Sequence, residues 1–521
     1  MSGSVIVGGH STRILELGAS PLTVGDVLDL ARGRAVAQIA SDPALHARIA
    51  SGVDLLARLL EDGELVYGVT TGVGNSVKDA VSPDASAELS LNLIRLHGCG
   101  TGTILDDDAA ACVLAVRIAS LSRGYSGVRL KVLDRICELL SRRILPRIPT
   151  RGSVGASGDL TPLSYLAAVV AGEREVSYRG ELMSAQDALR EEGLAPIVPA
   201  GKESLAIMNG TSFTTALACL AHERALRLAR FASALTAMAS DVIRGNPEHF
   251  DARIFELKPY PGSAQAAEWI RHDLGLPVDD DRPIARLQDR YSIRCAPHVI
   301  GILIDSLEQA KTVIEIEINC VNDNPIIDGD EGRILHGGNF YAGHVGHALE
   351  SIKTAVAGIA DLLDRQLLLV TSEVTSAGLP ENLAKQSCAG NVHHGFKAVT
   401  IATASLAAEA LSLTMPASVF SRSTENHNQD KVPMAPLAAH NCLRILELAE
   451  CISVMLALAY SQAVDLRGAS CCQRRSIELR DAIREFSPTM TRDRELDGEI
   501  ATLLERYRKG ELPIGSLAEE N

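Results

Sequence analysis

The sequence predicts a mainly α fold, a bundle of long helices carrying a more irregular N-terminal part, on three observations. Hydrophobic residues make up 46% of the chain but aromatic ones only 3%. The core must therefore be built from Ala, Leu, Ile and Val, a mixture that suits close-packed helices better than sheets. Apolar residues recur at steps of three and four over long stretches, the mark of helices with one buried stripe. Glycine clusters at 67–74, 97–102 and 151–158 divide the first part into shorter helical patterns.

In chain order, the first long periodic segment covers about 205–245. From Val299 onward Ile300, Leu303, Ile304, Leu307, Ala310, Ile314 and Ile318 keep one helical stripe until the turn formers Asn322-Asp323-Asn324-Pro325 end it. Ala- and Leu-rich periodic segments follow at about 345–372, 394–414 and 435–465. A length of 521 residues suggests roughly three domains as a prior. No Pro/Ser/Gly-rich linker, low-complexity block or internal repeat supports that division. The expectation is a single domain spanning 1–521, with an N-terminal part at about 1–205, a central helix bundle at about 206–470 and a helical tail at about 471–521.

With 50 Lys+Arg against 65 Asp+Glu the formal net charge is −15. Binders of nucleic acid or anionic membranes need a basic footprint, so no such partner is expected. The 11 cysteines include no C-x-x-C pair, and the adjacent Cys471 and Cys472 fit no zinc spacing. Packed, reduced thiols and no metal are the expectation. Residues 1–9 lack the basic start and apolar run of a signal peptide. The apolar runs fall short of the roughly 20 residues that span a bilayer, so the protein is expected to be soluble and cytoplasmic.

In a helical chain, loops that combine glycines with polar residues are where chemistry is to be sought. The densest is Arg151-Gly152-Ser153-Val154-Gly155-Ala156-Ser157-Gly158-Asp159-Leu160. It lacks the Gly-Lys-Ser/Thr ending of a phosphate-binding loop, and no strand pattern precedes it. Alone, it reads as a helix start, with Ser157 or Asp159 capping the segment from Leu160 to Val170.

It does not stand alone. Gly155-Ala156-Ser157-Gly158-Asp159-Leu160 resembles the signature of the aromatic amino-acid ammonia-lyase family, which includes histidine, phenylalanine and tyrosine lyases and related aminomutases. Six further segments resemble that family in its order: Tyr67-Gly68-Val69-Thr70-Thr71-Gly72, Asn209-Gly210-Thr211-Ser212, Gln288-Asp289-Arg290-Tyr291-Ser292-Ile293-Arg294-Cys295, Asn322-Asp323-Asn324-Pro325, His336-Gly337-Gly338-Asn339-Phe340 and Asn428-Gln429-Asp430. The resemblance implies that Ala156, Ser157 and Gly158 cyclise and lose water to give a methylidene-imidazolone (MIO), an electrophile made from backbone with no metal. Small residues lower the steric cost of bringing the Gly158 nitrogen to the Ala156 carbonyl. Such a group answers a real difficulty, because ammonia leaves poorly and covalent attachment of the amine helps it leave.

The same resemblance assigns roles. Tyr67 is the base that removes the β-proton, and its reference pKa of about 10 would have to be tuned down. Thr70 and Val73 depart from the Asn and Phe common in relatives. Arg294, whose planar guanidinium can hold both carboxylate oxygens, binds the substrate carboxylate with help from Asn324. Asn209 and Tyr291 lie beside the prosthetic group, where oriented amides and hydroxyls stabilise developing charge, and Gln288 and Phe340 line the same space. A homotetramer whose sites combine residues from three subunits is implied as well.

For the substrate, the family's selectivity position is here Leu96-His97. Phenylalanine lyases tend to show Phe-Leu there, many tyrosine lyases His-Leu, and histidine lyases and several tyrosine-active bacterial enzymes Ser-His. A buried His can bond a phenol, and leaving it unpaired costs roughly 1–3 kcal/mol. The alternative is that His97 bonds a backbone carbonyl. Histidine lyases usually place Glu where this chain has Gln429, which favours a neutral ring. Lys397 and Glu425 resemble a charged pair of phenylalanine lyases that must be matched to each other or to substrate. The expectation is deamination of L-tyrosine to p-coumarate and ammonia. Histidine ammonia-lyase giving urocanate, phenylalanine ammonia-lyase giving cinnamate, an aromatic 2,3-aminomutase and an inactive helical scaffold are the alternatives.

Overall fold

A computed structural model of the chain describes residues 4–7, 10–275, 284–385 and 392–517. The fold is mainly helical, at 59% helix against 8% strand. The expected long helices are found at Ser212–Val242, Ala296–Asn319, Gly343–Thr371, Lys397–Ser412 and Ala435–Arg467. One expectation is corrected. The segment at 205–245 is not continuous, because the short helix Glu203–Met208 stops at Asn209, whose extended backbone (φ −89°, ψ 104°) and the following Gly210 (φ 158°) break the ladder.

The described chain divides into two compact units, Met1–Leu220 with Ala310–Leu349 and Pro416–His440, and Ala221–Gln309 with Glu350–Met415 and Asn441–Asn521. In the first unit, strand His10–Leu17 pairs in parallel with Ala35–Ile39 and antiparallel with Ser4–Val7. Its core helix is Asp107–Leu121, in which every residue from Ala109 to Leu121 is buried. The Asp106 carboxylate caps it by accepting from Ala109 N at 2.8 Å, and Asp107 and Asp108 complement the positive end of its dipole. Alanine at five of its positions lets neighbouring backbones approach, which explains how so few aromatics suffice for the core.

The second unit is held by ion pairs between its helices as well as by aliphatic packing. Arg230 donates both Nη1 and Nη2 to the Asp273 carboxylate at 2.7 and 2.9 Å, and both side chains are almost completely buried. Glu450, 1% exposed, accepts from Arg224 and Arg508. Of the cysteines, those within the described residues are free thiols, several of them fully buried, while Cys388 lies outside those residues. Residues 1–9, read above for a signal peptide, are described only at 4–7. No helix among the described residues is long and apolar enough to cross a membrane.

A fully buried bidentate pair makes a direct stability prediction. Arg230→Met leaves the Asp273 carboxylate short of its principal partner and should destabilise the protein by about 3–5 kcal/mol in urea unfolding. Arg474→Met, at a pair whose arginine side chain is 91% exposed, should leave the midpoint unchanged. Equal midpoints for the two variants would contradict this assignment of the second unit's stability.

Candidate active site

The glycine-rich loop lies in the first unit, between strand Pro149–Arg151 and helix Thr161–Val170. Both flanks differ from expectation. A short strand does precede the loop, pairing with Thr101–Ile104. The helix has no side-chain cap, since its cap residue is Leu160 and neither Ser157 nor Asp159 serves it. Asp159 is instead fully buried and turned toward the start of Ser212–Val242, accepting from Thr214 N at 3.0 Å and Thr214 Oγ1 at 2.7 Å. Burial pushes its carboxyl up to about 6 against the pull of those hydrogen bonds.

The loop is pressed between two walls. Gly155 (φ 73°) packs on Pro433 and Pro436, while Met434 N donates to Val154 O at 3.2 Å. On the other side Gly158 (φ 69°) forms an isolated bridge with Gly210, and Asp159 N donates to Gly210 O at 2.7 Å. A Cβ on Gly158 would overlap the Gly210 backbone. Ala156 and Gly158 are themselves bridged. Gly155 and Gly158 are thus buried against these walls, while Ala156 and Ser157 between them are partly exposed.

Further expected residues gather within the same unit. Ser157 Oγ donates to Asn209 Oδ1 at 3.4 Å, and Asn209 Nδ2 donates to Asn324 O at 2.6 Å. Asn324 Oδ1 accepts from Gly337 N at 2.9 Å. Tyr67 is partly buried, with its ring edge-on to His336 at 6.4 Å between centroids. Its hydroxyl accepts from Gly74 N at 2.7 Å. Burial raises the Tyr67 phenol above its ordinary value, the Gly74 N–H opposes, and the Glu425 carboxylate adds to the rise. The tuning down that a base needs is thus not built into this unit's own charges.

Leu96 is 60% exposed and closes helix Ser86–Leu96, with His97 as its C-cap. His97 Nδ1 bonds Leu93 O at 2.9 Å, the backbone-carbonyl bond that the sequence left as the alternative, and this presents Nε2 as an acceptor. Arg174 secures the same helix end, donating to Ile94 O at 2.8 Å. Burial holds the imidazole below its ordinary pKa against the favourable Leu93 carbonyl and Glu425, with Arg174 adding to the depression. Gln429 is also engaged, its Oε1 accepting from Thr424 Oγ1 at 2.7 Å. Glu425 opens three successive residues with left-handed backbone and accepts from Asn75 N at 3.0 Å. Phe340 is partly exposed.

The other four expected residues belong to the second unit. Tyr291 and Arg294 share the one-turn helix Tyr291–Arg294, with the guanidinium 4.7 Å from the ring centroid and Tyr291 71% exposed. Arg294 Nε donates to Asp289 O at 3.0 Å, and no hydrogen bond of its two terminal nitrogens is found among the described residues. Gln288 and Lys397 are exposed, Lys397 at the first turn of Lys397–Ser412. Sequence reasoning missed Lys202 and Arg117. Lys202, fully buried, pairs with Asp323 at 2.5 Å and donates to Pro325 O at 2.9 Å, and so clamps both sides of Asn324. Nothing in the sequence setting of Lys202 marks it as buried, whereas Arg117 is the lone charge in the apolar run 109–119, a signal that could have found it. Among the described residues no group of three or more His, Cys, Asp or Glu could hold a metal.

The family model for aromatic amino acid lyases matches residues 22–486. A histidine ammonia-lyase of Burkholderia cenocepacia is 40% identical over 435 residues, covering 82% of this chain and 84% of its own length. A tyrosine aminomutase structure from Streptomyces globisporus matches with a TM-score of 0.87 at 30% identity, covering 95% of this chain and 97% of that one. A histidine ammonia-lyase structure from Trypanosoma cruzi matches with a TM-score of 0.85 at 29% identity, over 96% and 94%. A glycine-rich loop held between walls on a mainly helical fold thus accompanies a match over most of the chain. The chain belongs to the aromatic amino acid lyase family, and it is a carbon–nitrogen lyase of the ammonia-lyase type.

The His97 environment gives a prediction with a definite sign. Its ring should titrate below 6.5 in histidine-selective NMR and carry its neutral proton on Nδ1. Glu425→Gln removes a carboxylate that favours the imidazolium, so the midpoint should fall further. A midpoint at or above 6.5, or a rise in the variant, would contradict the assignment.

Proposed function

We propose that the chain deaminates L-histidine to urocanate and ammonia without oxidation, using an electrophile formed from Ala156, Ser157 and Gly158. The observation that carries the substrate is the 40% identity to histidine ammonia-lyases over most of both chains. Histidine replaces tyrosine as the first reading on that identity. Of the two residues behind the tyrosine expectation, His97 engages Leu93 O through Nδ1 and Gln429 accepts from Thr424 Oγ1 through Oε1. With Nδ1–H given to Leu93 O, the His97 Nε2 is an acceptor that suits an imidazole N–H and a phenol O–H alike. A second reading, tyrosine as substrate, is favoured by the neutral amide of Gln429 and by the likeness to a tyrosine aminomutase.

Cyclisation balances without an oxidant. The Gly158 nitrogen bonds to the Ala156 carbonyl carbon, whose oxygen departs as water with protons from the Gly158 and Ser157 amides. Ser157 Oγ then departs as a second water with its own proton and the Ser157 α-proton. The product supplies an electrophile that assists departure of the substrate's ammonia. Tyr67 takes the β-proton. The Gly74 N–H stabilises its phenolate, and the cationic amine arriving with the substrate pulls the phenol down from its raised value. Arg294 and Asn324 hold the carboxylate, Arg294 through its two terminal nitrogens. Asn209 and Tyr291 orient the reacting groups, while Leu96, His97, Gln288, Phe340, Lys397, Glu425 and Gln429 shape the ring site. Assembly as a cytoplasmic homotetramer with sites shared among subunits completes the proposal.

Offering histidine, tyrosine and phenylalanine separately and following product absorbance tests the substrate directly. Histidine should turn over fastest, with urocanate formed. Faster release of p-coumarate would return the assignment to tyrosine, and accumulation of a β-amino acid would make the protein an aminomutase. Ser157→Ala should abolish turnover, and full activity in that variant would sink the electrophile. Tyr67→Phe should lower kcat by roughly a hundredfold to ten-thousandfold while competitive inhibitors still bind.

A further inference from the structure

We propose that Arg117 is a positioning residue for closure of the Ala156-Ser157-Gly158 loop, acting through Gly210 and Asn322. The proposal rests on the cyclisation reading above. Arg117 lies in the core helix Asp107–Leu121 and is fully buried. Its Nη1 donates to Asn322 Oδ1 at 2.9 Å and to Ser212 Oγ at 3.3 Å, while Nε and Nη2 have no hydrogen-bond partner among the described residues. A buried cation with unmet donors is costly, about 1–3 kcal/mol for each such group and more when charged. The nearby Asp323 and Asp159 carboxylates offset part of that cost but give Nε and Nη2 no hydrogen bond.

Geometry supplies the reason. A Cβ on Gly158 would overlap Gly210, and a Cβ on Gly210 would overlap the Arg117 guanidinium and reach Asn322 Oδ1. Gly158, the Gly210 backbone and Arg117 therefore form three layers with no slack between them. For the Gly158 nitrogen to reach the Ala156 carbonyl, the wall behind Gly158 must not yield. Arg117 stiffens that wall directly and through Asn322, which also accepts from Ser120 Oγ at 3.1 Å and donates to Thr211 Oγ1 at 2.9 Å. Thr211 in turn donates to Glu317 at 2.6 Å. A planar guanidinium can bear on the glycine and bond the amide at once, which a flexible ammonium does not do.

The test reads intact mass on the folded, full-length protein, independently of activity. Wild type should weigh two waters less than its sequence, and a wild type at full sequence mass would sink the cyclisation reading itself. Arg117→Lys and Arg117→Met, with folding checked by circular dichroism, should close the loop about tenfold to a hundredfold more slowly than wild type. Arg230→Met serves as the control for mere destabilisation, and whatever remains folded should be fully dehydrated. The proposal is overturned if either Arg117 variant folds and dehydrates like wild type. It is equally overturned if both fail to fold, because Arg117 would then be structural alone.

Discussion

The contact between the backbones of Gly158 and Gly210 is the constraint from which the site follows. Two segments meet there with no side chain between them, and Asp159 N on Gly210 O fixes their register. Because Gly210 must present bare backbone, the helix that precedes it stops at Met208 and a new one starts at Ser212. That break exposes the Asn209 amide to Ser157 on one side and to the Asn324 carbonyl on the other. One steric requirement thus aligns three segments far apart in sequence.

Holding this arrangement calls for charge in places where charge is expensive. Lys202 and Arg117 are both fully buried, one on Asp323 and the Pro325 carbonyl, the other on Asn322. Between them the turn Asn322-Asp323-Asn324-Pro325 cannot rotate. The second unit uses buried charge differently. Arg230 and Asp273 satisfy each other bidentately, an arrangement that fixes helices relative to one another within that unit.

Much of this was legible in the sequence. The long helices could be read because an aliphatic stripe of period 3.6 leaves an unambiguous trace, as in Ile300 to Ile318. The glycine loop and its companion motifs led to the family because backbone chemistry demands particular small residues at fixed positions. The break at Asn209 was hidden, since apolar periodicity continues on both sides of it. Asp159 read as a cap because local rules favour neighbours in sequence, whereas its partner is Thr214. The substrate was least legible. Which His97 nitrogen is left to face a substrate depends on one hydrogen bond to Leu93, and composition carries no record of such a bond. The three matched rings Tyr67, Tyr291 and Phe340 are all partly or largely exposed, unlike the fully buried Phe231, Phe250 and Tyr460 of the core.

The account stands or falls on the covalent state of Ala156-Ser157-Gly158. A high-resolution crystal structure of the wild-type protein measures it most directly. The account predicts continuous density joining the Gly158 nitrogen to the Ala156 carbonyl carbon, with a planar methylidene in place of the Ser157 hydroxyl. An open loop with an intact Ser157 Oγ in catalytically active crystals would contradict it.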